Sequence, residues 1–398
     1  MDLSLINRVF PRKPSANPLG LRGSYADPIR NIDWILLSAV IAQVVIGVFT
    51  VFSATFQRLK DEQEFSPNID VLVYAQRQVF FVIIAAAVIT VVMSLGHDWL
   101  RAQSGFLYGG VLLLLVMVLG AGAVTGGARL AFDFGPFSVQ PAELAKPVLL
   151  ILVSSYLSES VPDKIDWHHF VMTLYIVLIP CGLILMQPDL GSASVILAGV
   201  AGILYIGNAR RRYLALIGGM FVATAVGLMV AVPGLRYQGN RFVAWFLQNS
   251  NNKDLENIVL QVRYAKRAVS TGGFFGKGYL QGPLTNGKYV PVQFTDFPFS
   301  AIGEQFGMIG GAVVLGIFGV ILWRIWRTAQ MARDRFSFFL ASGAFTMMVW
   351  QVFQNIGMTL GVMPVSGLPL PFISYGGSHL ISSAILIGLV QSIHMRRL

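Results

Sequence analysis

The residues best suited to chemistry in this 398-residue chain gather in and around one polar stretch, Pro233 to Pro298. It carries eight Lys or Arg (Arg236, Arg241, Lys253, Arg263, Lys266, Arg267, Lys277 and Lys288), glycines at Gly272, Gly273, Gly276 and Gly278, and an acid at its exit, Asp296. Positive charge beside mobile glycine backbone suits anionic ligands. Asp296 lies between Thr295 and Phe297-Pro298, where a polar segment gives way to an apolar run. A carboxylate at such an edge is costly unless it is paired, hydrated or in use. Desolvation would raise its pKa and neighbouring cations would lower it, and the sequence leaves that balance open. The residue type fits a general base or a metal ligand, and equally a helix-start carboxylate satisfied by backbone N–H groups.

Other groups sit at comparable edges. In Gln187-Pro188-Asp189-Leu190-Gly191-Ser192, Asp189 is placed to cap the following helix, and with Asp296 it offers a second carboxylate for sharing a proton or a divalent cation. Arg129, Gln140, Glu143 and Lys146 cluster in sequence, and Glu143 and Lys146 share a helix face at a spacing of three. They read either as an internal ion pair or as a site in which Lys146 and Arg129 hold a phosphate while Glu143 orients them. Thr271 to Gly278 brings backbone amides and Lys277 together without the spacing of a nucleotide loop, so a flexible turn is the simpler reading. His97, His168, His169, His379 and His394 are scattered, which leaves no histidine metal site. The single cysteine, Cys181, lies in an apolar run and rules out an intrachain disulfide. No nucleophile elbow or HExxH motif is present.

The elements that position these groups are membrane helices. With 55% hydrophobic and 12% charged residues and a mean hydropathy of +0.66, the composition is that of an integral membrane protein, all-α and polytopic. Apolar runs predict ten spans near 33–54, 74–96, 104–124, 144–157, 168–186, 190–208, 213–233, 299–323, 337–362 and 373–394. The fourth is too short to cross unaided and follows the irregular stretch Gly126 to Glu143, which predicts a half-embedded helix lining a cavity. Residues 1–31 read as a polar, basic cytoplasmic tail, and 32–398 as one membrane domain that includes the loop 234–298 between spans seven and eight. With the N-terminus inside, sixteen Lys or Arg fall on cytoplasmic segments and five on the short outer ones. That bias places both termini in the cytoplasm and the long loop outside. Within the loop, Arg241 to Gln248 and Asn257 to Ser270 predict amphipathic helices lying along the membrane surface. The net charge of +10 serves topology and anionic lipid headgroups, and nucleic acid is not an expected partner.

The last outer segment reads Asn355-Ile356-Gly357-Met358, then Met363-Pro364-Val365-Ser366-Gly367-Leu368-Pro369-Leu370-Pro371-Phe372-Ile373-Ser374-Tyr375-Gly376-Gly377-Ser378. It closely resembles the signature of the SEDS family (shape, elongation, division and sporulation) of bacterial polytopic proteins, whose branches include RodA and FtsW. The similarity extends to Gly127-Ala128-Arg129, Gln140 to Lys146, Gln187 to Gly191, Gly272 to Gly278, and Thr295-Asp296-Phe297 with Gly303-Glu304, in family order. Two departures are Leu130, where members often carry Trp after Arg, and Phe294, where they often carry His before Thr-Asp.

The resemblance implies ten helices and an inner-membrane peptidoglycan glycosyltransferase that polymerises lipid II on the extracytoplasmic face. A class B penicillin-binding protein and other elongation-complex proteins would be its partners. Asp296 matches the family's essential aspartate and is the expected catalytic base. Arg129, Glu143, Lys146, Asp189, Lys277, Arg263, Lys266 and Arg267 are the expected contacts to lipid II and to the polyprenyl-pyrophosphate-linked glycan, with Mg²⁺ or another divalent cation as the candidate cofactor. The Asn-Ile-Gly-Met stretch and the Pro-Val-Ser-Gly turn favour the elongation, RodA-like branch over a division polymerase. A lipid II flippase and a non-catalytic scaffold are the rival readings.

Overall fold

The computed structural model describes residues 31–66, 70–125, 128–135, 137–161, 164–231, 236–247 and 255–397. The expected tail, apart from Asn31, lies outside the described residues, as do Lys253 and the side chains of Arg129 and Arg236.

Helices cover all ten apolar runs. The first half of the chain contains α1 (Trp34–Phe65), α2 (Val73–Leu95), α3 (His97–Ala102), α4 (Ser104–Ala121), three short strands, α5 (Pro141–Ser160), α6 (Trp167–Met186) and α7 (Leu190–Ile206). The second half contains α8 (Arg211–Ala231), α9 (Arg236–Phe246), α10 (Glu256–Gly272), α11 (Pro283–Asn286), α12 (Pro298–Gln330), α13 (Arg335–Thr359) and α14 (Gly377–Met395). Among the described residues seven of these, α1, α2, α4, α6, α12, α13 and α14, are long and apolar enough to cross a membrane. Their outward faces expose large apolar side chains such as Ile41, Phe49, Ile83, Phe106 and Tyr175, a surface suited to lipid. The protein is a multi-pass membrane protein.

Aspartates start several helices by accepting backbone N–H groups: Asp33 from Leu36, Asp166 from His169, Asp189 from Ser192 and Asp334 from Ser337. α1 has 32 residues and α12 has 33, so each is about 50 Å long and outreaches a hydrocarbon core of about 30 Å. α12 breaks its helical path at Gly307, where φ is +64°. The buried centre of the bundle is formed by α5, α7, α13 and α14, with α14 packed along α2 and α13 along α7.

Three expectations are corrected. The fourth run is longer than expected: α5 has 20 residues, begins with Pro141 at its first turn and is largely buried. Its charged first turn hid its length, because Glu143 and Lys146 neutralise each other inside the protein. The stretch before it is not irregular but a small antiparallel sheet in the order β1 (Ala123–Thr125), β2 (Ala128–Asp133), β3 (Ser138–Val139), a local exception to the all-α reading. Finally, α10 does not rest its apolar face on lipid. Ile258, Val259, Val262 and Ala265 build a second, outer core with Ala244 of α9, Val290, Phe297, Met358 and Val365. Amphipathic periodicity reveals that a helix has an apolar face but not what covers it.

Candidate active site

Two groups of polar residues flank the Pro-rich turn between α13 and α14. The first is set in the bundle. Glu143 and Lys146, 2% and 1% exposed, are paired at 2.6 Å between Oε1 and Nζ. His379 Nδ1 of α14 stands 3.5 Å from the other Glu143 oxygen, and Gln351 of α13 reaches the same ring nitrogen at 3.3 Å. The Gln140 side chain donates to Asp189 at 2.9 Å, and Lys146 and Glu143 both act electrostatically on Asp189. Ser378 Oγ accepts the Gln140 N–H and donates to Ser138 O, stitching β3 to the start of α14. This group therefore brings Glu143 and Lys146 of α5 together with Asp189, the cap of α7. A fully buried ion pair is held by mutual need, since either charge alone would be strongly disfavoured. Lys146 is committed to Glu143 and is not open to a ligand. Arg129 lies on β2, where its backbone pairs with Val124.

The second group carries Asp296, half-buried in a single turn in which Asp296 N–H donates to Val292 O and Phe297 N–H to Gln293 O. Val292 starts the turn with φ +53°. Asn355, fully buried in α13, uses one amide group twice, donating to Asp296 O at 2.9 Å and to Leu368 O at 2.7 Å. It thereby fixes Asp296 against the Pro-rich turn. At Gly367, with φ +70°, a Cβ would stand 3.4 Å from Arg241 Nη1 and 3.8 Å from Asp296 Oδ2. Burial pushes the Asp296 pKa up from the ordinary aspartate value, against opposing pulls from the Thr295 side chain and the Arg241 cation. A carboxylate tuned in this direction is a better proton acceptor than an exposed aspartate. The turn joins the two groups, because Gly191 at the start of α7 packs on Leu368 and on Ser366 O.

The remaining expected ligands do not converge on Asp296. Arg263, Lys266 and Arg267 occupy the exposed face of α10, opposite the buried Val262, Ala265 and Ala268. Lys277 is exposed, and its own amide and those of the glycines beside it are already used. Lys277 N–H donates to Glu304 O and Gly278 N–H to Gln305 O, while Gly273 O and Phe274 O accept from Met308 and Ile309 at the α12 break. A Cβ at Gly272 or Gly276 would come within 1.9 or 2.1 Å of a carbonyl oxygen of α12, so these glycines serve close backbone packing. Among the described residues no three His, Cys, Asp or Glu side chains are grouped to hold a metal ion.

Sequence reasoning missed three contributors. Arg241 was one of eight loop cations, with nothing to single it out. Asn355 stood in a motif without a task. Glu304, fully buried, caps α11 by accepting Leu284 N–H at 2.7 Å, Thr285 N–H at 2.9 Å and the Thr285 hydroxyl at 2.5 Å. Phe294 packs against Tyr74 and Tyr375 with ring centres 5.2 and 5.7 Å apart.

Comparison with known proteins gives the same outline. The family model for FtsW, RodA and SpoVE, described as cell cycle proteins, matches residues 33–398. Stage V sporulation protein E of Bacillus subtilis (strain 168) is 31% identical over 364 residues, 91% of this chain and 96% of that protein. The probable peptidoglycan glycosyltransferase FtsW of Geobacter metallireducens is 32% identical over 373 residues, 92% and 96% of the two chains. A chain solved in a study of how a peptidoglycan synthase complex coordinates polymerization and crosslinking superposes with a TM-score of 0.74 at 30% identity, covering 92% of this chain and 98% of that one. The rod shape determining protein RodA of Thermus thermophilus superposes at 0.66 with 29% identity, covering 92% and 97%. A match that runs from the cap of α1 to the last residue, together with relatives aligned over nearly their whole length, shows that the chain belongs to the FtsW/RodA/SpoVE family, the SEDS proteins.

Proposed function

We propose that the protein is a peptidoglycan glycosyltransferase that polymerises lipid II on the extracytoplasmic face of the inner membrane, with both termini in the cytoplasm and Asp296 as general base. The observation that carries this reading is Asp296 itself, a carboxylate of raised pKa pinned by Asn355 beside the bare backbone of Gly367. The relatives named as peptidoglycan glycosyltransferases support the reaction class. Asp296 takes the proton from the C4 hydroxyl of incoming lipid II, and the freed oxygen attacks the anomeric carbon of the growing glycan. The bond from that carbon to phosphate breaks, and polyprenyl pyrophosphate leaves with the electron pair. Base assistance of this kind is worth about 10² to 10⁴ in rate.

The departing pyrophosphate needs positive charge. Arg263, Lys266, Arg267 and Lys277 offer it from exposed positions, Arg129 from the sheet above α5, and Lys146 through its field while it remains bound to Glu143. Glu143 and Asp189 complete the wall opposite. Among the described residues no three His, Cys, Asp or Glu side chains are grouped as a metal cage, and a Mg²⁺ ion used here would take phosphate oxygens of the substrate as ligands. Chelator titration of polymerisation measures that requirement. A class B penicillin-binding protein is the proposed partner, supported by the likeness to a chain of a complex that couples polymerization with crosslinking.

Polymerisation of lipid II by the purified protein with that partner, wild type against Asp296→Ala, is the direct test. Loss of polymer with the fold intact is expected, and wild-type rates in Asp296→Ala would overturn the assignment. A flippase would instead move labelled lipid II across vesicles without making polymer, and a scaffold would tolerate Asp296→Asn in cells. The Asn355 to Met358 stretch favours elongation, whereas the FtsW relatives favour division. Round cells on depletion would decide for the first, filaments for the second.

A further inference from the structure

Arg241 was not among the residues expected to serve the site, yet its guanidinium and the Asp296 carboxylate both come within 4 Å of the point where a side chain at Gly367 would begin. We propose that Arg241 is the positioning residue of Asp296: carried on α9, it confronts the carboxylate at Gly367 and holds it ionised and aimed at the acceptor hydroxyl. The proposal rests on the reading of Asp296 as the base.

Three features register α9 for this task. Arg241, Ala244 and Trp245 follow one another at spacings of three and one and so share one side of the helix. Ala244 is 3% exposed in the outer core, where it joins Phe297, next in sequence to Asp296, and Val365, two residues before Gly367. Trp245 Nε1 donates to Gly361 O at 3.1 Å, tying α9 to the end of α13. The neighbouring Phe242, Val243 and Phe246 remain exposed, so α9 docks by one side only.

The groups facing Asp296 from the packed elements are few. Its own segment presents the Thr295 hydroxyl, α13 presents the neutral Asn355 amide to the Asp296 backbone, the turn presents Gly367 without a side chain, and α9 presents Arg241. Among the described residues Arg241 is thus the cation that opposes burial of this carboxylate. An opposite charge nearby favours the ionised form, and Arg241 pulls the Asp296 pKa down against burial. A Cβ at Gly367 would stand within 4 Å of both members of the pair, and the positive φ there already disfavours any other residue.

The pH dependence of polymerisation by the purified protein with its transpeptidase partner tests the assignment, with lipid II as substrate. In Arg241→Gln the acid limb of the profile should move to higher pH, with the loss falling on kcat and not on KM. Arg241→Lys should return the limb to the wild-type position, and Arg58→Gln, on the outer part of α1, should leave it there. Trp245→Phe removes the hydrogen bond to Gly361 but keeps the ring, and should move the limb the same way by less. It is the deciding variant if Arg241→Gln does not fold. An unmoved limb in the folded variant overturns the proposal, as does a rise in KM alone, which would make Arg241 a substrate ligand. Failure of the underlying reading looks different, because Asp296→Ala would then itself be active.

Discussion

Glu143 and Asp296 are acids of the same bundle on opposite sides of one Pro-rich turn, and they are held in opposite ways. Glu143 is 2% exposed and bound to Lys146 at 2.6 Å, with His379 behind it. Asp296 is half-buried, secured through its backbone carbonyl by Asn355, and its carboxylate shares the space at Gly367 with Arg241. The first arrangement consumes the charge in structure, while the second keeps a proton acceptor ready. The contrast separates an acid spent on packing from the acid proposed to react.

The largest expected effect comes from the proposed base. Asp296→Asn should lower the polymerisation rate by about 10² to 10⁴ while leaving thermal stability in detergent equal or higher. A folded pKa above the unfolded value means that the ionised carboxylate costs stability at pH above that pKa, and the amide removes this cost. By the same sign, the wild-type rate should fall as pH drops through a value above the ordinary aspartate 3.8, measured as initial rate against pH. A variant that lost both activity and fold would erase the contrast with Glu143.

Next comes the wall. Lys146→Met strands a buried carboxylate and should destabilise the protein by about 3 to 5 kcal/mol, whereas Glu143→Gln with Lys146→Met should recover most of it. Denaturation of both variants measures the difference. Activity recovered along with stability would make the pair structural alone, and stability recovered without activity would give it a share in the reaction.

A smaller loss is expected for Glu304→Gln, which weakens the cap on α11 and should cost about 1 to 3 kcal/mol. It should appear as faster hydrogen exchange confined to the loop around Pro283–Asn286. Smallest is Lys277→Gln, an exposed change beside amides that already have partners, expected within about 0.5 kcal/mol of wild type in stability. A large loss of polymerisation in that variant would move Lys277 into the site.

Particular residues mark how far the sequence could be read. The Asp189 cap and the apolar runs were legible because both rest on local rules, and Asp296 stood out as an acid at a membrane edge. The Glu143 and Lys146 pairing was legible as a helix spacing. Arg241 was not, since eight loop cations look alike until folding selects one. Nor was the role of the glycine turn, whose amides are taken by carbonyls of α12, about thirty residues further along.

By itself the sequence determined a polytopic helical membrane protein of the SEDS family and singled out Asp296 as the candidate base, because hydropathy, helix caps and motif order are properties of neighbouring residues. Only the tertiary structure decided which charges are spent on each other, which cation meets Asp296, and that α10 faces protein and not lipid. Desolvation and pairing depend on what the rest of the chain brings within a few ångströms, and no local pattern records that.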